Sequence, residues 1–426
     1  MWRKHFCLND LLPYFAGKVL TMKNLAGKAV TAFSTVLTML ACGLSEIGGD
    51  QDVNPDGGIW GGPVEDNDGA GILQQICYMT AMDYRDGYNW LADQERGSVK
   101  CSLVVYADGS QIMKVPVGEE YETGSDPDMH RIINGHLYTD YSTSDQTVIK
   151  RDGIQMFRYP GRESICGMRV SGEDIYTVGQ NRSGEGFAFR KNGEVLMSRE
   201  AGGIIGTVNS GHDSMPFAFY EAIKSSEGNI SRYYVSRGGK VSQVAVRDDI
   251  QKVWDIICGE DTETYVASLV GVASPVMFVG GSMVLLTLPK KSVLLSASLY
   301  GSVENPGVEL LYSSGSAIYS MLWQDGKTQI TFPKGRTASS VCVQNEGLCC
   351  AVNSSSSSAA GLIYRCGELH DMPAGYSCVG GDVVCMVNGI LNVGLSSRKG
   401  DSPLIWKDGE TQALNINGYI SSVCAQ

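Results

Sequence analysis

Eight times along this chain a short apolar run ends in a small, turn-forming pair. The glycines of these pairs are Gly109, Gly153, Gly193, Gly239, Gly281, Gly326, Gly367 and Gly409, at intervals of 44, 40, 46, 42, 45, 41 and 42 residues. The residue before the glycine is Asp108, Asp152, Asn192, Gly238, Gly280, Asp325, Cys366 or Asp408. Asp-Gly and Asn-Gly tolerate the positive φ that a two-residue hairpin turn demands. An aromatic precedes the turn in five repeats, as Tyr106, Phe278, Trp323, Tyr364 and Trp406, whereas Lys150, Arg190 and Ser236 stand there in the others. A period of about 43 residues predicts one four-stranded blade per repeat, and so an all-β propeller.

One repeat can be written out in full. Strand a is Ser339 to Val343, strand b Leu348 to Val352, strand c Leu362 to Tyr364 and strand d Leu369 to Met372. The loop from b to c is loose, and that from c to d is the tight turn at Gly367. Alternating apolar residues between turn signals favour strands throughout. The best helix candidate after residue 72 is the short run Asp248 to Ile257. The chain ends in Ile420-Ser421-Ser422-Val423-Cys424-Ala425-Gln426, which matches strand a at Ala338 to Gln344 and has no strand b after it. The first repeat has the reverse defect and opens on strand b at Ile76 to Met79. The C-terminal strand is therefore expected to complete blade 1, which removes the two exposed edges of an open ring. Eight blades are expected, or seven if the weak fifth repeat, Tyr265 to Leu299, packs irregularly.

This order of strands resembles a Kelch-type propeller over roughly residues 73–426. The Trp406-Lys407-Asp408-Gly409 turn is similar to those of repeat-bearing propeller lipoproteins from Bacteroidetes. The Kelch Gly-Gly after strand b is absent from most repeats. The resemblance implies that strand a lines the axis and that the b–c loops share one face. It rests on structural turns, which specify a fold better than a function.

Residues 1–42 read as a targeting segment. Lys23 and Lys28 precede an apolar run from Ala29 to Leu40, followed by Met39-Leu40-Ala41-Cys42-Gly43. A basic region, a short apolar region and small residues before a cysteine make a signal peptide of lipobox type, with Cys42 the acylated residue. An ordinary signal peptide containing a cysteine is the other reading. Met22 reads as the start, since residues 1–21 carry no usable pattern. Residues 43–72 form a flexible Gly- and Asp-rich tether. In it Asp52, Asn54 and Asp56, followed by Gly57, fit the first half of a calcium loop. Its closing position holds Pro63 where a bidentate Glu is wanted, so an acidic linker is the competing reading. No other cofactor is expected.

Twelve cysteines follow residue 21. Cys342 and Cys349 are seven apart, as are Cys378 and Cys385, and the repeat alignment sets Cys424 opposite Cys77. Directly opposed positions in an antiparallel pair approach disulfide range, and an oxidising compartment permits the bond. Small buried core residues are the alternative. Metal binding is disfavoured, because neighbours such as Cys349 and Cys350 point to opposite faces of a strand.

The 426 residues carry a net charge of −12, which argues against a nucleic-acid partner. No His-Glu-x-x-His, Gly-x-Ser-x-Gly or phosphate-binding glycine motif occurs among His5, His130, His136, His212, His370 and their surroundings. The first b–c loop, Asp83 to Lys100, is the longest and holds Tyr84, Arg85, Asp86, Tyr88, Trp90 and Arg96. Tyr84, Asp86, Tyr88 and Trp90 suit stacking on a sugar or capture of a peptide. A loop folded onto the rim with its aromatics buried is the alternative. The expectation is a non-catalytic binding propeller for a glycan or protein, lipid-anchored to the membrane of a bacterial cell envelope, the outer membrane foremost. A polysaccharide hydrolase or lyase acting in the axial pit is the alternative, as is a structural subunit of an outer-membrane assembly.

Overall fold

The computed structural model describes residues 75–84, 88, 101–117, 130–142, 145–181, 186–199, 206–210, 217–225, 228–237, 239–244, 247–344, 347–356, 359–379 and 382–426. Eight antiparallel sheets follow one another along the chain, and among the described residues there is no helix. The expected signal segment with Cys42, the tether and the Asp52, Asn54 and Asp56 motif lie outside the described residues.

Each turn glycine closes a blade. Six of the turns pair a non-glycine residue at φ 44–52° with a glycine at φ 75–103°: Asp108, Asp152, Asn192, Asp325, Cys366 and Asp408 precede their glycines in this way. Two successive positive φ values give the hairpin twist that matches paired strands. The carboxylate or amide does a second job. Asp108 Oδ1 accepts from Cys77 N at 3.0 Å, Asp152 Oδ1 from Leu137 N at 2.8 Å, Asn192 Oδ1 from Ile175 N at 2.8 Å and Asp408 Oδ1 from Leu391 N at 3.0 Å. The same four residues donate their own N–H to those residues' carbonyls. Each turn is thereby pinned to the start of strand b in its own blade. Strands d are exposed, as Glu410–Ala413 shows along its whole length, whereas strands b are buried.

Ring closure is as the sequence predicts. Asn417–Ala425 pairs antiparallel with Cys77–Tyr84 and forms the inner edge of blade 1. The fifth repeat is a complete blade of Ile250–Cys258, Glu263–Leu269, Val276–Val279 and Ser282–Leu285, so the ring has eight blades. The helix candidate Asp248 to Ile257 falls mainly in its inner strand. Between blades the side chains form separate apolar cores. Blades 3 and 4, for instance, meet through Phe189 and Phe219, stacked at 5.1 Å.

The inner strands share a device that spacing does not reveal. In blades 1, 3, 6 and 7 the a–b register slips by one residue, leaving Ser421, Cys166, Leu295 and Ser339 without an opposite partner, and in blade 5 it slips twice, at Gln251 and Trp254. Such a bulge bends the strand and increases its twist. The ladder of blade 1 also corrects the cysteine alignment, because the turn bonds set Cys77 where Leu348 stands in blade 7. Above the bulge at Ser421, Cys77 lies opposite Ala425, and Cys424 opposite Tyr78. Cys342 does oppose Cys349. Cys385 opposes Asn392, and Cys378 precedes that strand segment instead of pairing with it. The inner strand of blade 8 is split into Tyr376–Ser377 and Val384–Val387, so Cys385 takes the place that Cys342 has in blade 7.

Candidate functional site

On the face bearing the b–c and d–a loops, blades 7 and 8 bring two arginines together. Arg336 ends the d–a loop before blade 7. Its N–H donates to Pro333 O at 3.0 Å, across Gly335 at φ 71°. A Cβ on Gly335 would stand 2.6 Å from Ser355 Oγ, while Gly335 O accepts from Ser355 N at 2.8 Å. The d–a loop is thus seated on the Ser354–Ser356 loop of blade 7, at a position whose φ of 71° favours glycine. Arg398 begins the b–c loop of blade 8. Its N–H donates to Gly375 O at 2.7 Å, Lys399 N donates to Ser397 Oγ at 3.0 Å, and Gly400 at φ 87° turns the chain back.

Both guanidinium groups reach the same serine-rich loop. Arg398 Nη1 donates to Ser356 O at 2.9 Å and Nη2 to Ser354 O at 3.2 Å. Arg336 Nη1 donates to Ala360 O. Their acceptors are neutral carbonyls, and among the described residues no carboxylate pairs with either. Burial, then the positive charge of Arg336, lowers the Arg398 pKa from its ordinary value. Like charges held together without a counter-charge are an unrelieved electrostatic cost. Each guanidinium has five N–H donors in a planar fork, so donors remain for a carboxylate, sulfate or phosphate.

The surroundings extend this character. Lys334 and Lys399 flank the pair and are exposed, as are Lys290 and Lys291 in the preceding d–a loop. The opposite rim, formed by the c–d and a–b turns, is different. There Arg365 pairs with Asp408 at 2.5 Å, Arg237 with Glu263 at 2.7 Å and Lys191 with Asp174 at 2.7 Å. These three cations have carboxylate partners, as Arg247 has in Asp249 at 2.6 Å in a d–a loop, and the Arg336–Arg398 pair does not.

The sequence-predicted residues are placed otherwise. Tyr84 and Tyr88 are 5% and 8% exposed, with ring centroids 5.4 Å apart, inside the core between blades 1 and 2. For these two rings the folded-in arrangement is the observed one. Asn417 Nδ2 holds Tyr88 O at 2.9 Å. Asp86, Trp90 and His212 lie outside the described residues. Among the described residues no group of three or more His, Cys, Asp or Glu side chains forms a metal site. Every described cysteine is a free thiol.

A second polar cluster lies on the axis side of blades 1 and 2. His130 Nε2 is 2.9 Å from Ser421 Oγ, and Thr80 Oγ1 is 2.8 Å from Ser421 Oγ and 2.6 Å from Ser422 Oγ. A Ser–His pair invites a nucleophilic reading, but no carboxylate orients the imidazole among the described residues. Ser421 Oγ also donates to Thr80 O at 3.1 Å, and the cluster is buried. The inner-strand carboxylates are likewise engaged. Asp255 accepts from Ile256 N and Leu299 N, both at 2.9 Å, and Glu163 pairs with Arg190 at 2.8 Å. Asp255 ties blade 5 to blade 6, and the Glu163–Arg190 pair braces blade 3.

No family model matches the chain, and no curated relative matches its sequence. Solved structures match it as folds. The propeller domain of the Trilobed protease from Pyrococcus furiosus aligns at TM-score 0.44 and 10% identity, over 71% of this chain and 93% of that one. Dihydro-heme d1 dehydrogenase NirN aligns at TM-score 0.49 and 10% identity, over 81% and 74%. TolB from Acinetobacter baumannii aligns at TM-score 0.34 and 9% identity, over 68% and 81%.

Proposed function

We propose that this propeller is a non-catalytic binding module for an acidic glycan, held on the b–c face at Arg336 and Arg398. The observation that carries the reading is the close pair of guanidiniums without a carboxylate. An anionic ligand relieves their repulsion, and bidentate contact to carboxylate or sulfate suits the planar fork. Ser354, Ser355 and Ser356 add hydroxyls suited to sugar hydroxyls. The chain between strands b and c of blade 1, with Asp86 and Trp90, belongs to the same proposal as a stacking element. A local cluster of Arg336, Arg398, Lys334 and Lys399 in an otherwise acidic protein also favours the approach of an anionic group.

The same proposal places the protein on a bacterial cell envelope, tethered by lipid at Cys42 as a Bacteroidetes-type lipoprotein. The basic stretch, apolar run and Cys42 support it. Two measurements test the two parts. Metabolic labelling with a fatty-acid analogue should mark the wild-type chain and leave Cys42→Ala unmarked; equal labelling refutes the anchor. The full chain should bind carboxylated or sulfated polysaccharides in an array and ignore neutral ones. Arg336→Gln with Arg398→Gln should weaken that binding at least about tenfold, since a charge-assisted contact contributes on the order of 1.5–3 kcal/mol. Unchanged binding in the double variant removes the site, and a preference for acidic protein over acidic glycan removes the ligand class.

A further inference from the structure

The junction where blade 8 meets blade 1 carries a thiol pair that the repeat alignment does not foresee. Cys77 opens strand b of blade 1, and Cys385 lies in the inner strand of blade 8. They are 8% and 5% exposed and share one apolar core with Met79, Leu391 and Val423. Their thiols are in hydrogen-bond contact. The surrounding backbone is fixed on both sides. Asn388 Nδ2 donates to Gln75 O at 2.9 Å, within three residues of either cysteine, and Ile76 and Gln426 exchange backbone hydrogen bonds of 2.8 and 3.1 Å. Strand register sets Ala425, not Cys424, opposite Cys77, and although Cys342 and Cys424 are also near Cys385, its hydrogen bond is to Cys77.

We propose that Cys77 and Cys385 form an inter-blade disulfide in an oxidising compartment, locking blade 8 to blade 1 beside the ring closure. The oxidant is a small-molecule disulfide such as oxidised glutathione. Cys77 loses its proton to water, and its thiolate attacks one sulfur of the oxidant, forming a mixed disulfide and releasing one thiolate. Cys385 then loses its proton and attacks the Cys77 sulfur, releasing the second thiolate. Two protein thiols are oxidised and one small disulfide is reduced to two thiols. The hydrogen bond from Cys385, and further off the charge of Lys407, hold the Cys77 pKa below the ordinary thiol range against the effect of burial, while Cys385 is pushed up by the same contact and by burial.

The consequence is topological. Without the bond, the ring is closed by one hydrogen-bonded strand. With it, separating blade 8 from blade 1 also requires breaking a covalent link. The test uses the full chain, incubated with excess oxidised glutathione near its thermal midpoint so that buried thiols open. A second sample is held in dithiothreitol. Both are denatured, alkylated and digested without reductant. The expected result is a peptide joining Cys77 to Cys385 in the oxidised sample alone. Reduction should lower Tm in the wild type and leave Cys385→Ser unchanged. Two alkylated thiols after oxidation, or Cys77 joined to Cys424, overturns the proposal. The peptide map needs no variant, so a poorly folding substitution does not blunt it.

Discussion

His130 and Ser421 stand 291 residues apart in sequence and 2.9 Å apart in space. The contact joins the inner strand of blade 2 to the strand that the C-terminus lends to blade 1. Burial above all, with a smaller contribution from the positive charge of neighbouring Arg131, lowers the His130 pKa from 6.5 to about 3. The native imidazole therefore stays neutral where an unfolded one is charged. Between about pH 6.5 and pH 3 the unfolded chain binds the extra proton, so stability falls as pH falls through that window. A shift of one unit corresponds to about 1.4 kcal/mol. Unfolding free energies measured by denaturant from pH 7 to pH 4 should decline less steeply in His130→Gln than in the wild type. Parallel curves would show that His130 does not carry the acid sensitivity.

Truncation probes closure directly. Ile420 is fully buried and Val423 is 2% exposed, and Ile420 N donates to Ser396 Oγ of blade 8 at 3.1 Å. Burying two such side chains contributes about 1.5–3 kcal/mol each, before the ladder to Cys77–Tyr84 is counted. Removing Tyr419 to Gln426 should therefore cost at least about 5 kcal/mol, a loss comparable to the whole stability of many domains. Thermal unfolding monitored by far-UV circular dichroism checks this. A midpoint within about 3 °C of wild type would mean that the ring does not depend on its last strand.

The turns make a graded prediction. Asp108 combines φ 48° with an acceptor for Cys77 N. Asp108→Ala loses the acceptor and keeps the strained φ, so it should cost about 2 kcal/mol, while Asp108→Asn should cost less than about 0.5 kcal/mol. Cys366 has φ 47° and donates its N–H to Leu348 O, but its thiol is a weak acceptor for the strand b amide. Cys366→Asn should therefore stabilise blade 7 by about 0.5–1 kcal/mol. Urea titration of the three variants tests the order, and a stabilising Asp108→Ala would contradict it.

These turns also explain what was legible in the sequence. Asp108-Gly109 or Asp408-Gly409 is a local signal, since two residues contain both the backbone need and the side chain that answers it. Its repetition gave the blade count, and the unmatched strand at Ile420 gave the closure. The bulge at Ser421 is not local. It follows from how an inner strand bends round the axis. Nor is the start of strand b local: the turn bonds set Cys77 where Leu348 stands in blade 7, one residue from the place that the repeat alignment gives it, and this offset brings Ala425 opposite Cys77. The thiol pair was missed for a related reason. Cys342 and Cys385 are 43 residues apart, one blade step, whereas the seven-residue spacing of Cys378 and Cys385 suggests a hairpin that the split strand of blade 8 does not form. Arg336 and Arg398 lie in ordinary Lys-Gly-Arg and Arg-Lys-Gly loops. Their convergence depends on which loops share a face of the ring, and the serine run 354–358 between them carries no local signal of it.

The arginine pair predicts a response to anions without knowledge of the natural ligand. Sulfate or inorganic phosphate bound between Arg336 and Arg398 binds the native ring and has no such site in the unfolded chain. At a concentration of 100 times Kd, one site stabilises by about 2.7 kcal/mol. The general salting effect of sulfate acts on any surface and must be subtracted. The comparison is therefore made at equal ionic strength between wild type and Arg336→Gln with Arg398→Gln. Tm should rise with phosphate in the wild type in a saturable way, and in the double variant only by the linear background. The double variant should also show a smaller loss of polyanion binding between low and high salt, because fewer charges are screened. Removing one arginine relieves the repulsion felt by the other, so Arg336→Gln should restore the Arg398 pKa toward its ordinary value and leave the ligand-free protein close to wild-type stability. A saturable phosphate shift that survives in the double variant would move the anion site to the lysines at positions 290, 291, 334 and 399.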